Sequence, residues 1–168
     1  CSRLNSRFFV SRVMRTDLLT VPLDNGTPGA QNSTFTANAG PTYSEFSHSP
    51  IIPAAGESIT VSTVVDDSDT IASMTLFWNV NGGSFTSAAM NHRGNGKYSG
   101  IIPGRSSSSK IQFYVQGQDA LGAVSTFPAK GRDSRAMIQV QDGQRTTTPI
   151  DTVRIIMTTA ETNALFDT

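Results

Sequence analysis

Three stretches of strict two-residue alternation constrain the fold of this chain more than any other feature. In residues 58–65, Ile59, Val61 and Val65 fall on one side and Thr60 and Ser62 on the other. In residues 73–80, Met74, Leu76, Trp78 and Val80 alternate with Thr75, Phe77 and Asn79. In residues 110–118, Ile111, Phe113 and Val115 alternate with Gln112, Tyr114 and Gln116. Successive side chains of a strand point to opposite faces, so each run predicts a strand buried on one side.

Turn chemistry marks out shorter strands between these runs. Asn81-Gly82-Gly83 leads into a strand at 84–90, because Asn-Gly accepts the positive φ of hairpin turns. Residues 91–96 turn the chain into a strand at 97–102, which Pro103-Gly104 ends, and residues 106–109 make a polar loop. Asp119-Ala120-Leu121-Gly122 turns into a strand at 123–127, and residues 136–140 add a last edge. With an early strand at 41–47, seven or eight short strands fall within about a hundred residues, the spacing of a sandwich rather than of a parallel α/β sheet. The expected fold is therefore all-β: an immunoglobulin-like antiparallel β-sandwich over 41–142. Its expected core is Ile59, Val61, Leu76, Trp78, Ile111, Phe113 and Val115, supported by Ile101 and Phe127. Trp78 is read as a plug in that core rather than a ligand-stacking ring.

Flanking segments read differently. Residues 1–40 form an irregular N-terminal extension or linker, and 143–168 a short strand–helix tail that could begin a following domain. Arg3, Arg7, Arg12 and Arg15 interleave with Phe8, Phe9, Val10 and Val13, which suggests a frayed terminus with one strand near 7–13, or a short basic arm. Asn25-Gly26-Thr27-Pro28-Gly29 is a cluster of breakers, and the small polar residues after it suit a linker. Asn25-Gly26-Thr27 and Asn32-Ser33-Thr34 match the N-glycosylation pattern, which is frequent by chance. The β-branched run at 153–156 precedes an expected helix at 158–166 capped by Thr159.

Charge and cysteine content narrow the function classes. Thirteen basic residues balance thirteen acidic ones, so no whole-protein field attracts nucleic acid or an anionic membrane. No stretch reaches the roughly 18–20 apolar residues of a membrane span. The single cysteine, Cys1, cannot form an internal disulfide. It could be the lipidated residue of a processed bacterial lipoprotein, but a residue left where a longer chain was cut is the favoured reading. Low charge content with abundant hydroxyl and amide residues fits a soluble, extracellular or cell-surface β-protein.

One resemblance rests on an ordered set of markers. They run from Ser49-Pro50 through Ile59-Thr60-Val61, Asp66-Asp67, Ala72-Ser73-Met74-Thr75-Leu76 and Val80-Asn81-Gly82-Gly83. They continue through Tyr98-Ser99-Gly100-Ile101-Ile102-Pro103 and Phe113-Tyr114-Val115 to Asp119-Ala120-Leu121-Gly122. Over about 41–142 the chain resembles the bacterial immunoglobulin/fibronectin type III-like modules of large secreted and surface proteins, without the cysteine pair of antibody-type domains. The resemblance implies a spacer, or an accessory that contacts carbohydrate or protein beside a neighbouring domain. Residues 25–33 are similar to the end of lamin-tail-type domains, and 149–166 resemble the start of a CotH-type kinase-like domain. The glycine loop, lysine and acidic metal ligands of a kinase are not present in that segment.

Three groups are candidates for chemistry. Asp66, Asp67 and Asp69 follow the second strand and Asp119 ends a later one, so an immunoglobulin-like topology brings their loops to one end. Together they could coordinate Ca²⁺, whereas the plainer reading has each Asp capping its own turn. Phe77, Tyr114 and Phe85 lie opposite the core set, either as a surface that stacks on sugar rings or a neighbouring domain, or as cross-strand packing. His92 and His48 are the only histidines and could act as base in a Ser/His/Asp-type site, but no Gly-x-Ser-x-Gly elbow accompanies them. The expected function is a non-catalytic extracellular accessory module, with a small hydrolase as the rival. No cofactor is required, with Ca²⁺ the one candidate. The expected partners are neighbouring domains of a larger surface protein, polysaccharide, or a second copy through edge strands or the tail.

Overall fold

Residues Ile59, Val61, Thr63 and Val65 all lie on the inward face of one strand, and their burial results from the alternation of β2 (Ile59–Asp66). The structure, a computed structural model, describes residues 37–143 and 155–166. The chain divides into two units, Cys1–Ala37 and Asn38–Thr168, and the sandwich belongs to the second. Cys1, the arginines near the N-terminus, both glycosylation patterns, the segment similar to a lamin-tail end and residues 153–154 lie outside the described residues.

The remaining strands are β1 (Thr42–Ser49), β3 (Ile71–Val80), β4 (Thr86–Ala89), β5 (Asn91–His92), β6 (Lys97–Ile102), β7 (Lys110–Asp119), β8 (Val124–Phe127) and β9 (Met137–Gln139). One sheet has the order β1-β2-β6-β5 and the other β4-β3-β7-β8, with β9 pairing the opposite end of β7. All pairings are antiparallel. These are the facing sheets of an immunoglobulin-like sandwich, four strands of the A-B-E-D kind against a C′-C-F-G kind. The last strand is split into β8 and β9. Pro128, lacking an N–H, cannot continue the ladder, and residues 128–136 leave the edge through a 3₁₀ turn at Gly131–Asp133 before β9 resumes it.

Inward residues from both sheets make the core: Ile59, Val61, Val65 and Ile102 from one, Met74, Leu76, Trp78, Ile111, Phe113, Val115 and Ile138 from the other, with Met90 and Val140 beside them. Where the sheets approach, Gly100 leaves no room for a side chain: a Cβ there would lie 2.9 Å from Leu76 Cδ2 and 3.1 Å from Met90 Cγ. Phe46 stacks on Phe113 at 5.6 Å and meets Phe127 edge-on at 5.0 Å, closing the side of the core. Phe127 is thus half-buried support, as expected.

Ile101 is a correction. It is 54% exposed, while Ile102 is fully buried. The pairing of β2 with β6 sets Ile59 against Ile102 and Val61 against Gly100, so Ile101 faces solvent beside Thr60. Two adjacent isoleucines carry no alternation, and only the register says which points inward.

Two polar devices tie β1 to the sandwich. A bulge between Ser44 and Ser47 takes β1 out of register, and the buried Thr63 hydroxyl donates to the Ser44 carbonyl at 2.9 Å. Tyr43 crosses to the other sheet, where its hydroxyl donates to the Ser125 carbonyl at 2.8 Å and accepts from the Gly117 amide at 2.7 Å. Gly117 has no Cβ because one would sit 2.8 Å from that hydroxyl. Burial of the ring pushes the Tyr43 hydroxyl above its ordinary value of 10.0, against the opposing hydrogen bonds of Ser125 and Gly117.

Ile102→Ala should cost about 2–5 kcal/mol in denaturant unfolding, whereas Ile101→Ala should change stability by roughly 0.5 kcal/mol or less; equal losses would contradict the register. Because the Tyr43 hydroxyl titrates higher in the folded than in the unfolded chain, its contribution is intact below pH 10 and is lost as pH climbs through the folded value. Tyr43→Phe should therefore cost about 1–3 kcal/mol at neutral pH, by stranding the Gly117 amide and Ser125 carbonyl. It should also flatten the alkaline fall in stability, as read by unfolding at a series of pH values.

Candidate functional site

The acidic loops converge at one pole. Ile71 pairs with Asp119, which sets the end of β7 beside the β2–β3 loop, and the Ala120 amide donates to the Thr70 carbonyl at 2.7 Å. Carboxylate oxygens of Asp67, Asp69 and Asp119 lie within 4.8 Å of one another. Asp67 shapes its own loop, Oδ1 accepting from the Asp69 amide at 2.7 Å. Asp66 does not join the group. It is the last residue of β2, exposed and paired with Thr42, and adjacent residues of an extended chain point in opposite directions.

Asp119 differs from its neighbours in burial. The residue is 1% exposed. Its Oδ1 accepts from the Ala123 amide at 2.8 Å, closing the β7–β8 turn, while Oδ2 is buried with no hydrogen-bond partner among the described residues. Burial pushes the carboxyl up, but the Asn38 side chain and the amides of Ala123, Leu121 and Gly122 outweigh it and hold the group below its ordinary 3.8. The carboxylate is therefore charged at neutral pH.

On the outer face of the second sheet, Phe77 and Tyr114 are direct cross-strand partners whose rings stack at 4.9 Å and 5°. Phe85 meets Tyr114 edge-on at 5.4 Å, and Arg132 sits over Phe85 at 5.4 Å. These rings lie opposite the core set, as the alternation places them, and are largely covered: Tyr114 is 8% exposed, and Phe77 and Phe85 are half-buried. Burial raises the Tyr114 hydroxyl, against the pull of Arg132. The next cross-strand pair explains the cover. Asn79 Nδ2 donates to Gln112 Oε1 at 3.0 Å, and Gln112 Nε2 donates to the carbonyls of Arg132 and Ser134 at 2.9 and 2.6 Å. One buried amide thus fastens the 128–136 segment over the sheet.

The histidines lie apart in function and place. His92 is exposed in β5, a strand where the sequence suggests a turn, with its ring 4.9 Å from Tyr98. His48, half-buried in β1, sets Nδ1 3.1 Å from the Pro50 carbonyl and its ring edge-on to Phe113. Among the described residues, neither imidazole is hydrogen-bonded to a hydroxyl or a carboxylate.

The tail packs on the sandwich at the other pole. Residues 155–158 are irregular rather than strand, and they lead into α1 (Thr159–Phe166). Its cap is Thr158, one residue before the expected Thr159: the Thr158 hydroxyl accepts from the Glu161 amide at 3.2 Å, and Glu161 Oε2 accepts from the Thr158 amide at 2.9 Å. That amide, ahead of Arg135, holds the Glu161 carboxyl low despite its partial burial. Arg135 pairs with Glu161, and Lys110 Nζ donates to the Met157 carbonyl at 2.9 Å. Asn79, Asn81, Lys110, Met137, Thr158 and Ala160 line a cavity of about 300 Å³ between tail and sheet. The amides of this cavity gave no signal in the sequence, because alternation marks Asn79 and Gln112 only as outward-facing.

No protein-family profile and no curated protein matches the chain. Among solved structures, a crystal structure of a Br derivative of BhCBM56 is similar at 15% identity, covering 63% of this chain and 96% of that one, with a TM-score of 0.38. A likeness that slight carries no argument about function.

Proposed function

We propose that the sandwich is a non-catalytic accessory module of the extracellular immunoglobulin/fibronectin type III-like kind, which holds neighbouring segments of a larger surface protein apart and in line. The supporting observation is where the chain enters and leaves. Thr42 pairs with Asp66 at the pole of the acidic loops, whereas Gln139 pairs with Lys110 at the opposite pole. The ten residues of β7 run between these poles, about 30 Å at roughly 3.3 Å per residue. A module threaded from pole to pole sets the distance between its two chain neighbours. One whose ends met at a single pole would hang to the side.

The engagement of the candidate groups within the fold favours the same reading. Phe77 and Tyr114 stack on each other, and each histidine is taken up by a carbonyl or a ring. The rival, a small hydrolase using His92 or His48 with Ser and Asp, needs a base within hydrogen-bond reach of a nucleophile, and no contact of either histidine among the described residues favours it. Polysaccharide contact is compatible with a spacer and enters as an arm of the test.

In a Cys1→Ser background, dyes at Thr42→Cys and Gln141→Cys, both exposed and both within the second unit, should report a separation of roughly 30–40 Å. Oligosaccharides should leave it unchanged, and generic esters should not be hydrolysed. A much shorter distance would end the in-line reading. Ester turnover that disappears in His92→Ala or His48→Ala would replace it with the hydrolase, and saturable binding of one oligosaccharide would make the module a carbohydrate contact.

A further inference from the structure

We propose that Asp67, Asp69 and Asp119 form a Ca²⁺ site at the pole where the chain enters the sandwich. This inference does not rest on the spacer reading. Acidic residues gather on many loops without binding anything, so the cluster alone is insufficient. The deciding feature is Asp119 Oδ2. It is buried and accepts no well-formed hydrogen bond among the described residues, although the Asn38 side chain and the Leu121 and Gly122 amides lie near its carboxylate, whose oxygens approach those of Asp67 and Asp69. A buried carboxylate oxygen left without a donor is costly. A cation between the three carboxylates would satisfy it and relieve the repulsion among them.

The chemistry of the group selects the ion. It contains no histidine or thiolate, which disfavours zinc and the softer transition metals. Oxygens on opposite sides of a cation are separated by twice the metal–oxygen distance, about 4.6–5.2 Å for Ca²⁺ and about 4.0–4.2 Å for Mg²⁺. The carboxylate oxygens, all within 4.8 Å of one another, fit inside a Ca²⁺ shell. Ca²⁺ also accepts irregular shells of six to eight oxygens, so loop carbonyls and water can complete what three carboxylates begin.

The fold holds these residues in place before any ion arrives. The Asp69 amide fixes Asp67, the Ala123 amide fixes Asp119, and the bond from the Ala120 amide to the Thr70 carbonyl joins the two loops. Asn38, on the segment leading into β1, lies against Asp119. A bound ion would therefore tie the β2–β3 loop and the β7–β8 turn together beside that segment, stiffening the point of entry into the domain.

Calorimetric titration of the whole chain with CaCl₂ after chelation should give one site, with a dissociation constant of about 10⁻⁴–10⁻³ M, the range of extracellular modules. Saturating Ca²⁺ should raise the thermal midpoint by several degrees, chelator should reverse this, and equimolar Mg²⁺ should do less. Asp69→Asn, on an open loop, should leave the circular dichroism spectrum unchanged and weaken binding roughly tenfold or more. Asp119→Asn should abolish binding if the variant folds, and Asp66→Asn should leave it unaltered. Absence of heat and of any midpoint shift at millimolar Ca²⁺ in the unaltered chain would overturn the site. Binding that survives Asp67→Asn with Asp69→Asn, or is lost in Asp66→Asn, would overturn the assignment of its ligands.

Discussion

Nine cross-strand pairs, from Ile71 with Asp119 to Val80 with Ile111, align β3 with β7 through the middle of the second sheet. Eight of these pairs keep one register, a shift between Ile71 and Ser73 separates the ninth, and three separate features depend on this pairing. On the inward side it sets Leu76 against Val115 and Trp78 against Phe113, forming the wall on which the other sheet packs. On the outward side it sets Phe77 against Tyr114 and Asn79 against Gln112. At its end it sets Asp119 beside the β2–β3 loop. A slip of one residue would exchange the two faces, putting Gln112 and Tyr114 into the core and Phe113 out of it. The cost of that exchange is what makes the register unique.

The outer face is where this sandwich departs from a simple two-layer design. A lone sheet face can stay wet, and amides on it need no partners. Here residues 128–136 cover it, so each amide must be satisfied within the protein. Gln112 meets the requirement from both ends of its side chain, accepting from Asn79 and donating to two carbonyls of the covering segment. The interruption that splits β8 from β9 is therefore also the lid over the Phe77–Tyr114 stack. The tail adds a second layer at the pole of Lys110, through Met157 and the Arg135–Glu161 pair.

The two poles have different chemistry. At one, β1 begins, Tyr43 is anchored to β7 and β8, and the carboxylates of Asp67, Asp69 and Asp119 lie close together. At the other, β9 ends and amides, a lysine and the start of α1 enclose a cavity. Opposite ends of the sandwich carry the chain in and out, which is the mechanical basis of the spacer reading.

How much of this is legible in the sequence depends on what each pattern reports. Alternation names the side of a sheet on which a residue lies, and it located β2, β3 and β7 within a residue or two. It also supplied seven core positions, Ile59 to Val115, that are all buried. It does not report what covers a side, so Asn79, Gln112 and Tyr114 read as solvated when they are enclosed. Where alternation lapses, as at Ile101-Ile102, only pairing with Ile59 and Thr60 decides. The helix cap fell on Thr158 rather than Thr159 because Glu161, three residues on, completes a reciprocal pair only with the former. The meeting of the acidic loops at one pole came from topology, but the membership of the cluster did not. Asp66 ends β2 exposed and stays outside the cluster that its neighbour Asp67 joins, and Asp119 stands out only through burial. Local periodicity is written into successive residues and could be read there. Register, cover and burial arise from pairing segments dozens of residues apart, and only the folded chain determines them.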